Sequence, residues 1–126
     1  MKNLFRKFQK MLLVELEDLH EDLELFIQVI KDRHESQLIT DYVYRENLAI
    51  LRNEVLGLED CSHGCEDLDL DELSSVDEMA AFLKLRLKQR LISRGYAQAL
   101  YTLLEKRLDR IAGYLRQEEV ADVVPQ

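Results

Sequence analysis

Residues 4–30 read LFRKFQKMLLVELEDLHEDLELFIQVI, and their spacing decides the fold class. Leu4, Phe8, Leu12, Leu16, Leu19, Leu23, Phe26 and Ile30 are separated by steps of four and three residues. At about 100° per residue those steps keep the eight side chains on one narrow stripe of an α-helix. Such a stripe must be covered by another apolar surface. The intervening Asp18, Glu21 and Glu24 project away from it into water. A second, thinner apolar set (Met11, Val14, Leu25, Val29) lies a quarter-turn or more from the first, so this helix is expected to meet two neighbours, or one neighbour and a second copy of itself.

Working outward, the same rhythm recurs three times. Tyr44, Leu48, Leu51, Val55 and Leu58 predict a second helix over about 40–56, with Thr40 or Ser36 as its cap and Gly57 as its stop. Val76, Ala80, Leu83 and Leu87 predict a third, opened by the capping box Ser75-Val-Asp-Glu78 and closing near Leu91 and Ile92 before Gly95. Ala97, Tyr101, Leu104, Leu108, Ile111 and Leu115 predict a fourth over about 96–118. Between the second and third lies a long acidic stretch, 59–74, expected to be a loop. The end, 120–126, has no pattern and is expected to be a disordered tail.

These readings give an all-α, antiparallel up-and-down bundle of four helices forming a single domain over 1–126. Two other arrangements fit the same stripes. The third and fourth helices could fuse through Gly95 into one, leaving three, or the chain could form one hairpin of two very long helices.

Composition agrees. Glycine occurs four times, and the only proline is Pro125, so helix breakers are nearly missing. No Val/Ile/Thr-rich alternation suggests a strand. The formal charge is −8, which argues against nucleic acid as the main partner. The charge is segregated: 15–24 carries six acids and no Lys or Arg, and 83–94 carries five bases and no acid. That pattern suggests an acidic first helix lying beside a basic third one. No apolar run approaches the ~20 residues of a membrane span, and Leu12-Leu13-Val14 is too short for a secretory leader. A cytoplasmic protein is expected.

The chemistry-bearing motifs are few. Cys61, His63 and Cys65 offer thiolate and imidazole ligands within five residues, suited to Zn²⁺ or Fe if the loop folds around an ion. A reversible disulfide, or two ordinary thiols, fits the same residues. Asp67, Asp69, Asp71 and Glu78 fall at positions one, three, five and twelve of a calcium loop, but Glu72 occupies the position where the turn needs glycine. Glu17-x-x-His20 has di-iron spacing without the second motif such sites require. No phosphate-binding glycine loop and no nucleophile with an adjacent base appears in the sequence, so no cofactor follows from it.

Phe82, Leu85, Ile92, Tyr96, Leu103 and Tyr114 form second apolar stripes that one small bundle would leave uncovered. They are the expected interface of a homo-oligomer, or of a complex with a partner protein. The functional expectation is therefore a small interaction or assembly protein that self-associates, with a metal-binding bundle as the alternative.

Overall fold

The computed structural model describes residues 2–66, 73–96 and 98–123. Four helices account for nearly all of them: α1 Lys2–Glu35, α2 Asp41–Glu66, α3 Val76–Ser93 and α4 Gln98–Val123. No strand occurs among the described residues. The helices run up, down, up and down. Antiparallel contacts fix each direction: Lys7 with Glu118 for α1 and α4, His20 with Glu59 for α1 and α2, Lys84 with Asp109 for α3 and α4.

The stripe of α1 is buried from Leu4 to Leu23. Its last two members depart from expectation. Ile27 is buried instead, Phe26 is exposed, and Ile30 is only half covered. Phe26 and Ile30 stand 18 residues, five whole turns, beyond the buried Phe8 and Leu12, so they keep the same side of the helix and lose cover because the layer of α3 and α4 ends near that level. On the opposite layer Met79, Leu83, Leu87 and Leu91 of α3 pack with Leu100, Leu104, Leu108 and Ile111 of α4.

Both tight turns close by the same device. After α1, Gln37 takes φ 62°, its N–H donates to the His34 carbonyl at 3.1 Å, and Leu38 N–H donates to Arg33 at 2.8 Å. After α3, Gly95 takes φ 75°, its N–H donates to Ile92 at 3.1 Å, and Tyr96 N–H donates to Leu91 at 2.9 Å. These paired bonds satisfy the last carbonyls of each helix. Gly95 therefore breaks the chain, and the continuous three-helix and two-helix alternatives fall. The Thr40 hydroxyl accepts from Val43 N–H at 3.2 Å and caps α2, as expected.

Three expectations need correction. Gly57 does not stop α2; the helix passes through it and takes in eight residues (59–66) of the stretch expected to be loop. A Cβ at Gly57 would stand 2.7 Å from Leu100 Cδ2 and 3.0 Å from Tyr96 Cγ, so the glycine answers a close approach of α4 rather than a turn. At the other end, α4 continues to Val123, beyond the expected end at 118. The capping box is shifted by one residue: Ser75 Oγ accepts from Glu78 N–H at 3.1 Å, but Glu78 Oε2 accepts from the N–H and hydroxyl of Ser74, each at 2.9 Å, not from Ser75.

The charge pairing also differs. The acids of α1 are met by α4, where Arg107 bonds Glu15, Asp18 and Asp22. The bases of α3 turn to Asp109 of α4 and Asp60 of α2. In an up-and-down bundle the first and third helices are diagonal, so their charges cannot meet directly.

Candidate functional site

Cys61 and Cys65 are one turn apart on α2 and completely buried, continuing the stripe of Val55 and Leu58. Both are free thiols. Burial pushes the Cys61 thiol up to about 12 and the Cys65 thiol up to about 11, so each stays protonated at neutral pH. His63 stands two residues from each, roughly 200° around the helix, and is exposed. The helix thus brings the two sulfurs together and sends the imidazole to the opposite side. Among the described residues no group of three or more His, Cys, Asp or Glu side chains could hold a metal ion. Asp67, Asp69 and Asp71 lie outside the described residues, and Glu78 is engaged with Ser74.

Beside the thiols sits an ion cluster that sequence reading missed. Asp60 Oδ1 accepts from Arg90 Nε at 3.2 Å and from Nη2 at 2.7 Å. Its Oδ2 lies 3.2 Å from Arg94 Nε as an ion pair but accepts no aligned hydrogen bond among the described residues. The Arg90 guanidinium lies flat against α2 at Gly64, where a Cβ would meet Nη1 at 2.9 Å. A carboxylate bonded to Arg90 and facing Arg94 ties α2 to α3.

The six expected interface residues do not form one face. Leu85 and Ile92, seven apart, share an exposed side of α3, and Leu103 and Tyr114, eleven apart, share one of α4. Phe82 and Tyr96 pack against the core instead. The Tyr96 ring is drawn in by the bare backbone of Gly57.

Among the described residues a longer stretch without buried side chains lies elsewhere. Helices α1 and α2 have 34 and 26 residues, while α3 has only 18. Tyr96 and Leu100, where the chain turns from α3 into α4, stand level with Gly57. Beyond that level α1 and α2 run on alone as a hairpin. None of residues 28–54 is buried, although they include Ile30, Val43, Leu48, Ile50 and Leu51. At the hairpin's tip the His34 ring stacks on Tyr44, with centroids 4.2 Å apart, and His34 pairs with Asp41.

Register identifies the sides of this hairpin. On α1, Phe26 and Arg33 continue the row Glu15, Asp22 by steps of four and seven, and that row faces α4 lower down. On α2, Val43, Ile50 and Glu54 lead by steps of seven, four and seven into Cys61 and then Cys65, the row that faces the core. The inner face of the hairpin is therefore the core-facing surface of both helices, continued past the point where α3 and α4 cover it. Phe26 and Ile50 are each more than half exposed there. In the sequence only the stripe of the first helix, 4–30, outruns the others, and stripe length says nothing about axial offset.

No helix among the described residues is long and apolar enough to cross a membrane. Compared with family models, curated proteins and solved structures, the chain matches none.

Proposed function

We propose that this chain is a small interaction or assembly protein whose docking element is the projecting α1–α2 hairpin. The observation that carries the reading is the run of 27 residues, 28–54, without a single buried side chain despite its aliphatic and aromatic content. Contiguous exposed apolar surface on a small protein marks a binding surface more often than it marks decoration. Rigid helical presentation suits that role, because the helices are ordered before the partner arrives and little entropy is lost on docking. The four-helix body then acts as the anchor that holds the hairpin in shape.

The earlier expectation of an interface on α3 and α4 moves accordingly to α1 and α2. Ile50→Glu tests the proposal. Ile50 is exposed, so the variant keeps its helical signal and cooperative melting while losing association, whether with itself or with another protein. Association unchanged in Ile50→Glu but lost in Leu85→Glu would return the interface to α3 and refute the hairpin.

A further inference from the structure

We infer that the groove beside α3, on its flank toward α2, is an anion site in which Arg86, Arg90 and Arg94 hold a ligand carrying two or more phosphoryl groups. The site lies on the four-helix body, away from residues 28–54, and does not rest on the docking reading. Three observations carry it.

The first is convergence. The groove is open to water and lined by Arg86, Gln89, Arg90, Ser93 and Arg94. Steps of three, one, three and one keep these five on one side of α3. That side is the flank turned to Asp60 of α2, whereas Lys84 turns to Asp109 of α4 on the other flank. Ser93 donates its hydroxyl to the Arg90 carbonyl at 3.1 Å, so the donors left for a ligand are guanidinium groups and the Gln89 amide.

The second is charge. Among the described residues Asp60 is the carboxylate that reaches these arginines, and it reaches Arg90 and Arg94. Three guanidinium groups against one carboxylate leave an excess of positive charge. The tie between α2 and α3 needs only Asp60 and Arg90, so that tie does not account for Arg86. The chain's formal charge of −8 does not cancel the excess locally. Glu15, Asp18 and Asp22 of α1 are met by Arg107, α1 lies diagonal to α3, and exposed charges more than ~8 Å apart are largely screened.

The third is preorganisation. Asp60 Oδ1 accepts from Arg90 Nε and Nη2, and Oδ2 faces Arg94 Nε at 3.2 Å. One carboxylate thus orients two guanidinium groups before a ligand arrives, which lowers the entropy lost on binding. The terminal amino groups of Arg94 and the whole Arg86 guanidinium have no bonded acceptor among the described residues. Paired N–H groups of arginine match two oxygens of one phosphoryl group, and that group keeps oxygens for a second arginine, which a carboxylate does not. From Arg86 to Arg94 the helix rises ~12 Å, more than a single phosphate covers, so a diphosphate fits the row better.

Isothermal titration with inorganic pyrophosphate at low salt tests the site. Pyrophosphate is expected to bind, and inorganic phosphate to bind about tenfold more weakly. Arg86→Gln and Arg94→Gln should each weaken pyrophosphate about tenfold. Arg86→Gln should keep the parent melting temperature, because its side chain is exposed. Arg110→Gln removes an equally exposed base from α4 and should leave the affinity unchanged. Vesicles of phosphatidylcholine containing bisphosphorylated phosphatidylinositol separate the two sources of such phosphates. Vesicle binding that pyrophosphate displaces assigns the groove to a headgroup, and pyrophosphate binding without it assigns the groove to a soluble ligand. No heat with pyrophosphate at millimolar concentration overturns the inference. Equal losses in Arg86→Gln and Arg110→Gln also overturn it, since they would show an adventitious ion only. Ile50→Glu should not change pyrophosphate binding, so this site and the docking hairpin can each fail alone.

Discussion

Gly57→Ala is the most searching single substitution, because local and tertiary effects oppose each other there. In an exposed helix interior, exchanging glycine for alanine stabilises by about 1 kcal/mol through helix propensity. At position 57 the new methyl would stand 2.7 Å from Leu100 Cδ2 and 3.0 and 3.1 Å from two atoms of the Tyr96 ring. Leu100 is wholly buried, so its side chain has little room to retreat. Overpacking of this kind costs about 1–3 kcal/mol. The net expectation is a loss of roughly 1 kcal/mol. Gly113 supplies the internal control: it lies within α4, and a Cβ there meets nothing within 4 Å. Gly113→Ala should stabilise by about 1 kcal/mol, leaving the two variants roughly 1–3 kcal/mol apart. Urea unfolding followed by far-UV circular dichroism resolves that difference. In thermal melts it corresponds to about 3–5 °C per kcal/mol for a chain of this size. Equal stabilisation by both substitutions would mean that α4 does not press on α2 at Gly57, and the level assigned to the base of the hairpin would be wrong.

The buried thiols give a pH dependence of definite sign. Their folded values of about 12 and about 11 stand above the ordinary 9.0, so the unfolded chain loses these protons first. Their contribution is complete below about pH 9 and falls as pH rises toward about 11–12, by up to ~1.4 kcal/mol per pH unit for each thiol. The slope should flatten in Cys61→Ala/Cys65→Ala relative to the parent, and thiol reagents should label the native protein slowly at pH 8. For the charge network, Arg107→Met should destabilise by about 1–3 kcal/mol at low salt, with the penalty shrinking in 1 M salt, since Arg107 answers Glu15, Asp18 and Asp22 from a largely covered position. A penalty independent of salt would make its role one of packing alone.

What the sequence determined by itself is local and periodic. The steps of four and three named the helices and their buried sides from Leu4 to Leu23 and from Val76 to Leu91, because each depends on residues within a turn or two of one another, while the sequence left the break at Gly95 open against a fused helix and the backbone decided it. The extension of α2 to Glu66 was partly written there too, since Cys61 and Cys65 continue the stripe of Leu58. Glycines at 57 and 64 obscured it by reading as punctuation when they are points of contact with Tyr96, Leu100 and Arg90. Only the tertiary structure decided that α1 pairs its acids with α4 and not α3, that His63 leaves the two sulfurs, and that α3 and α4 stop short. Those outcomes depend on the axial offset between rods, which is set by how large and small side chains interlock across helices far apart in sequence. A repeat of seven looks the same after sliding by one repeat, so the stripes alone cannot place one rod against the next. That offset leaves residues 28–54 without a buried side chain, although Leu48 and Leu51 still pack against the edge of the core.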